Sequence, residues 1–219
     1  MPVIRAVIFD MDGLIIDSEW PDYQSWQELF AAHGHELPLE EWVPYVGLWG
    51  PPLALGERLA ALIGEGADVE ALRARRRARC DELIRESMTP MAGFDLLMER
   101  LTAHDYRRGL ASTSSRDWVD FIVDGLAVRS HFHAIIAGDE VAARKPAPDV
   151  YLRAAERLGV PPAACVALED SAPGVASARA AGMACIAVPN RVTVHHDLAA
   201  ADRQVAHLGE VTLELLRSL

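Results

Sequence analysis

The chain has 219 residues, 51% of them hydrophobic, enough for one large domain or a core domain carrying an insertion. Lysine and arginine number 21 against 32 aspartates and glutamates, and a net charge of −11 argues against the dense positive surface that nucleic-acid binding needs. No stretch approaches the roughly 18–20 apolar residues of a membrane span, and the first residues show neither a signal-peptide nor a transit pattern, so the reading is a soluble, cytoplasmic protein. Cys80, Cys165 and Cys185 lack CxxC spacing and sit in apolar surroundings, which predicts reduced core thiols.

The first predicted element is a buried strand, VIRAVIFD (3–10), which runs directly into Asp10, Met11, Asp12 and Gly13. From residue 19 to residue 88 only helical patterns follow: WPDYQSWQELFAAHG, PLALGERLAALIG and DVEALRARRRARCDELIRES. The arginines of the last segment read as a solvated helix face pairing with Asp68, Glu70, Asp81 and Glu82. Beyond residue 88, strands and helices alternate. Strands are predicted at YRRGLAST (106–113), HAIIAGD (133–139), CVALED (165–170) and ACIAVP (184–189), with amphipathic helical segments between them. This pattern predicts a doubly wound parallel α/β sheet, built from 1–18 and 89–219, with an inserted all-helical domain at 19–88.

In an open parallel sheet, ligands bind beyond the carboxyl ends of the strands, and polar residues gather at those ends. The first strand ends in Asp10 and Asp12, and the second in Ser112, Thr113, Ser114, Ser115 and Arg116. Asp139, Arg144 and Lys145 follow the third; Glu169, Asp170 and Ser171 close the fourth. One acidic residue after a strand reads as a helix N-cap. Four such ends together do not. Several carboxylates without a counter-charge repel, and Mg²⁺, a hard cation that takes oxygen ligands, resolves that. Lys145, the Ser112 hydroxyl and backbone N–H groups near 113 and 114 suit a phosphoryl group.

The order DMDG, AST, KPAPDVY and LEDSAPG resembles the haloacid dehalogenase superfamily of phosphohydrolases over nearly the whole chain. The helical insertion resembles that family's type-1 cap, shared by β-phosphoglucomutase and many sugar-phosphate phosphatases. The resemblance implies Asp10 as nucleophile, Asp12 as general acid–base, and Ser112, Thr113 and Lys145 around the phosphoryl group. It implies Mg²⁺ held by Asp10, Asp12 (through its backbone carbonyl), Glu169 and Asp170. A spacing of two keeps Asp10 and Asp12 on one edge of an extended chain. Dehalogenases that attack carbon typically lack the second aspartate, so Asp12 points to phosphoryl transfer.

Specificity is expected in the cap. Trp20, Pro21 and Asp22 stand where β-phosphoglucomutases carry a cap histidine, and VGLWGPP (46–52) lacks their cap-loop arginine. Ser114, Ser115 and Arg116 fall where the mutase binds its second phosphate, Arg79 falls near a cap lysine, and Trp49 reads either as shielding the site or stacking on a sugar, or as ordinary packing in the cap core. The favoured reading is a phosphatase acting on a small phosphorylated metabolite, as a monomer or weak homodimer. The alternatives are a phosphomutase and a non-catalytic phosphometabolite-binding protein. A receiver-type signalling domain would carry neither the insertion nor Asp12. His33 and His35 read as capping or surface residues, His195 and His196 as a surface loop, and Asn190 and Arg191, after the fifth strand, as candidates to support the site from behind.

Overall fold

A computed structural model describes residues 3–46 and 53–219. Six parallel strands form one sheet: β1 (Ala6–Phe9), β2 (Arg107–Ala111), β3 (Ala134–Ile136), β4 (Cys165–Glu169), β5 (Ala184–Ala187) and β6 (Arg203–Gln204). Their order across the sheet is β3-β2-β1-β4-β5-β6, with β1 between β2 and β4. This is the doubly wound, Rossmann-like arrangement that the strand–helix alternation predicts. Strand β6 is absent from the prediction, because two exposed polar residues carry no apolar signal; it is defined only by pairing with Ile186 and Ala187.

The strands are apolar throughout because both faces of the sheet are covered. Val7 and Phe9 pack on one side with α5 (Phe94–Ala103) and α6 (Arg116–Gly125). Ala6 and Ile8 pack on the other with α7 (Asp149–Leu158) and α8 (Ala172–Ala180). Strand β4 alternates likewise, Val166 and Leu168 on the first face and Cys165 and Ala167 on the second. All three cysteines are free and buried, and burial pushes the Cys80 and Cys165 thiols up to about 12 and about 11. The chain ends near a short helix, α9 (Leu213–Arg217).

Between β1 and β2 lie α1 (Glu19–Ala32), α2 (Leu39–Trp42), α3 (Leu53–Ile63) and α4 (Val69–Glu86). They enclose a separate apolar cluster around Trp26, Phe30, Trp42, Leu59 and Leu72. Two arginines of the α4 run, Arg73 and Arg76, depart from the solvated-face expectation, while Arg75 and Arg77 are exposed as it predicts. Arg73 is buried and pairs with Glu70 and Glu57. Arg76 stacks on Trp26 at 5.2 Å and forms an ion pair with Asp22 of α1. Asp68 is the N-cap of α4 and accepts from the N–H groups of Glu70 and Ala71. The arginine stems thus join α1 to α4, covering apolar surface while their charged heads find acids. No helix among the described residues is long and apolar enough to cross a membrane.

Candidate active site

Asp10 follows the last residue of β1, and its N–H donates to the Leu168 carbonyl at 3.0 Å, so the chain is still held in the sheet when the carboxylate emerges. The neighbouring strand β4 delivers Glu169 and Asp170 at the same level, and ligand oxygens from all three residues lie within 4.8 Å of one another. All three are buried. Burial, then the charge of Glu169, raise the Asp10 carboxyl to about 7, against the opposing pull of Lys145. Burial and the charges of Asp10 and Glu169 hold Asp170 well above the ordinary range.

Lys145 is the partial remedy within the chain. Its Nζ donates to Asp10 Oδ1 at 2.7 Å and to Glu169 Oε1 at 2.6 Å, and it lies 4.9 Å from the centre of the Tyr151 ring. Burial disfavours its charge, but Asp10 and Glu169 outweigh burial and hold its pKa above the ordinary lysine value. One cation among three carboxylates leaves an excess of negative charge, the condition a divalent cation meets. The cluster is therefore suited to a metal ion.

Two glycines keep this space open. Gly13 has φ +77°, and a Cβ there would lie 2.2 Å from Asp170 Oδ2. A Cβ on Gly174 would lie 1.9 Å from Glu169 Oε2. Asn190 braces the same corner, its Nδ2 donating to Asp170 Oδ2 at 2.9 Å and to the Gly13 carbonyl at 3.0 Å. The Asn190 Oδ1 accepts from the N–H groups of Val192 and Thr193, which fixes the amide's orientation.

Asp12 faces a different set of partners. Its Oδ1 accepts from Ser18 Oγ at 3.0 Å and from the Trp118 indole Nε1 at 3.0 Å. Its Oδ2 accepts from Ser114 Oγ at 2.8 Å and, more weakly, from Ser112 Oγ at 3.4 Å. The carboxylate is thus outside the Asp10–Glu169–Asp170 group. Ser112 directly follows β2 and also accepts from the Ser114 N–H at 3.0 Å, while half-buried Thr113 lies between them. Ser112, Ser114 and Asp12 therefore form one hydrogen-bonded patch beside the carboxylate group.

Two positions of the second-phosphate expectation have partners within the chain. Ser115 is the N-cap of α6, its Oγ accepting from the Trp118 N–H. Arg116 is committed to Glu140, to the Ile135 carbonyl at 3.0 Å and to Asp120. Arg79 is also engaged away from the catalytic edge, with Glu28, Glu82 and Glu86. The reason is common to both arginines. Carboxylates from a neighbouring helix turn or loop lie within reach, and local pairs take the guanidinium. Trp49 lies outside the described residues. His196 is not a free loop residue: its Nδ1 accepts from the Ala172 N–H at 3.4 Å, and its Nε2 lies 3.3 Å from the Val43 carbonyl, joining α8 to the helical segment.

Three residues near the site carried no sequence motif. Trp118 and Ser18 reach Asp12 only because α6 and the chain before α1 converge on it. Glu19, at the start of α1, is raised well above the ordinary carboxyl range by burial and by Asp22, Asp12, Asp10 and Asp17, and it makes no hydrogen bond or ion pair among the described residues. The signal available in sequence was the acidic density of DSEWPD (17–22), which reads equally well as helix capping.

Residues 4–182 match the family model of the haloacid dehalogenase-like hydrolases. The protein CbbY of Rhodobacter capsulatus is 35% identical over 225 residues, covering 99% of this chain and 99% of that protein. Fructose-1-phosphate phosphatase YqaB of Escherichia coli is 30% identical over 184 residues, covering 84% of this chain and 95% of that protein. Among solved structures, a CbbY variant from Rhodobacter sphaeroides in complex with xylulose 1,5-bisphosphate superimposes with a TM-score of 0.74 at 29% identity, over 94% of this chain and 96% of that one. With its strand-end carboxylates, buried lysine and intervening helical segment in place, the chain belongs to the haloacid dehalogenase-like hydrolases.

Proposed function

We propose that this hydrolase is a Mg²⁺-dependent phosphatase that removes phosphate from a small sugar or polyol phosphate through an aspartyl-phosphate intermediate. The observation that carries the reading is the Lys145 bridge between Asp10 and Glu169 within a group of three buried carboxylates. Such a group is stable as an anion cluster only with added positive charge, and a substrate phosphate with its metal ion meets both requirements. Asp10, Asp170 and Glu169 would hold Mg²⁺, with the Asp12 backbone carbonyl. When bound, the ion supplies charge neutralisation for the phosphoryl oxygens and lowers the pKa of Asp10.

In the first half-reaction, an Asp10 carboxylate oxygen forms a bond to phosphorus as the bond from phosphorus to the ester oxygen breaks. Asp12 delivers its proton to that departing oxygen. In the second, Asp12 takes a proton from water, and the water oxygen displaces Asp10 from phosphorus. Lys145 balances charge on the phosphoryl oxygens and keeps Asp10 oriented, while Ser112 Oγ donates from the β2 end. Ser18, Ser114 and Trp118 set the position of the Asp12 carboxylate. The hydroxyls among them can rotate to accept a hydrogen bond, so protonation of Asp12 leaves no donor stranded.

For the substrate, the helical segment at 19–88 is read as a cap over this edge. Glu19, at the start of α1, offers a carboxyl group to substrate hydroxyls, which supports a polyhydroxylated ester, while Asp22 is held by Arg76. The names of the relatives, a fructose 1-phosphate phosphatase and a protein crystallised with a sugar bisphosphate, support the same class. A mutase reading loses its strongest sequence features, because Arg116 and Arg79 are committed elsewhere. The test is phosphate release from hexose, pentose and polyol phosphates with Mg²⁺ and with chelator. Metal-dependent release from the sugar phosphates is expected. Release unaffected by chelator would refute the metal assignment, and isomerisation of glucose 1-phosphate without release would refute hydrolysis.

A further inference from the structure

The opposite end of the sheet carries the reverse charge. Arg5 immediately precedes β1 and Arg107 opens the neighbouring strand β2; the Arg107 N–H donates to the Arg5 carbonyl at 3.0 Å, which ties the two positions together. Arg217, in the last turn of α9, lines the same cleft of about 510 Å³. All three arginines are exposed, and among the described residues none forms an ion pair with a carboxylate. This holds in a chain with 32 acidic residues and a net charge of −11, where most other arginines near a helix face have found an acid. Like charges on neighbouring strand positions repel and are unfavourable unless an anion joins them.

The cleft has the makings of a small-molecule site rather than a flat patch. Its apolar lining comes from Leu158 and Val160 beside half-buried Tyr106 and exposed His104, and the Asp105 carboxylate in the lining is outnumbered by the three arginines. Guanidinium groups bind phosphate oxygens through paired N–H donors, and three of them, one just before β1, one on β2 and one on α9, suit a group with more than one phosphate. We propose that this cleft is a second, non-catalytic anion site that binds the diphosphate or polyphosphate group of a small molecule. Arg5 stands five residue steps before Asp10 along an extended chain, about 16 Å at the rise of a strand, so occupancy there does not compete directly with substrate.

The experiment is calorimetric titration of pyrophosphate, ADP and AMP into the full chain at low and high salt. Chelator is present throughout, so that no metal-bound phosphate forms at the catalytic edge. The expected result is saturable pyrophosphate binding at low salt that weakens at least tenfold in Arg5→Ala/Arg107→Ala and falls with added salt. Arg217→Ala, at an exposed position on the last helix, provides a second variant, with an expected loss of at least threefold. Tighter binding of ADP than of pyrophosphate would identify a nucleoside diphosphate, and equal binding the bare polyphosphate; both support the site. Absence of binding at low salt, equal affinity for AMP and ADP, or binding unchanged in the arginine variants would overturn the proposal.

Discussion

The nucleophile position is expected to oppose stability in the metal-free protein, and Asp10→Asn isolates that effect. In the folded chain the Asp10 carboxyl lies at about 7, against an ordinary 3.8, because burial and Glu169 outweigh Lys145. The folded state therefore holds this proton more tightly than the unfolded chain does. Between pH 3.8 and 7 the folded state binds the extra proton, so stability falls as pH rises across that window, and the loss is complete above it. At about 1.4 kcal/mol per pH unit, the gap corresponds to roughly 4 kcal/mol at pH 8. Asparagine keeps an oxygen to accept from Lys145 but carries no charge. Asp10→Asn should thus lose turnover while gaining about 2–4 kcal/mol at pH 8 in chelator, a rise in Tm of roughly 5–15 °C for a chain of this size. The gain should vanish near pH 4, where both chains are neutral at this position, and shrink with saturating Mg²⁺, which stabilises the wild-type carboxylate. Thermal melts of both proteins at pH 4, 6 and 8, with chelator and with Mg²⁺, make the comparison. A variant equal to or less stable than wild type at pH 8 in chelator would refute the electrostatic reasoning, and retained turnover would remove Asp10 as nucleophile.

Other substitutions separate the remaining roles. Trp118→Phe removes one charge-assisted donor to Asp12, an interaction of about 1.5–3 kcal/mol; kcat should fall about tenfold with KM nearly unchanged and the pH–rate profile displaced, and an unaltered profile would deny Trp118 a positioning role. Gly13→Ala places a methyl group against Asp170 Oδ2 at a left-handed backbone position, so Mg²⁺-dependent turnover and the protection of Tm by Mg²⁺ should both be lost. Arg116→Ala and Arg79→Ala should leave kcat/KM within about twofold, since both guanidinium groups are already paired with neighbouring acids; a hundredfold loss in either would restore a substrate-phosphate role. Glu19→Gln should raise KM for sugar phosphates several-fold more than for phenyl phosphate, which lacks the hydroxyls; an equal change for both would sever Glu19 from substrate recognition.

What the sequence determined by itself was the part written in local pattern. The apolar runs ending in Asp10, Ser112 and Glu169 specify buried parallel strands because a strand covered on both faces has no polar side to show, and the polar residues that follow must then gather at one edge. The helical periodicity of 19–88 likewise sets this stretch apart from the alternating strands and helices. What only the tertiary structure decided was partnership. The partners of Asp12 come from Ser18, Ser114 and Trp118, up to 106 residues away. Arg76 turns inward because Asp22 and Trp26 lie opposite it on another helix, whereas Arg116 is drawn off by Glu140. A charged side chain in sequence declares that it needs an opposite charge or a donor. It does not declare which one, because several candidates differ by only a kcal/mol or so in intrinsic worth, and packing of the apolar faces brings one of them within reach. Strand β6 follows the same rule: two polar residues become a strand only because the edge of β5 offers hydrogen bonds to them.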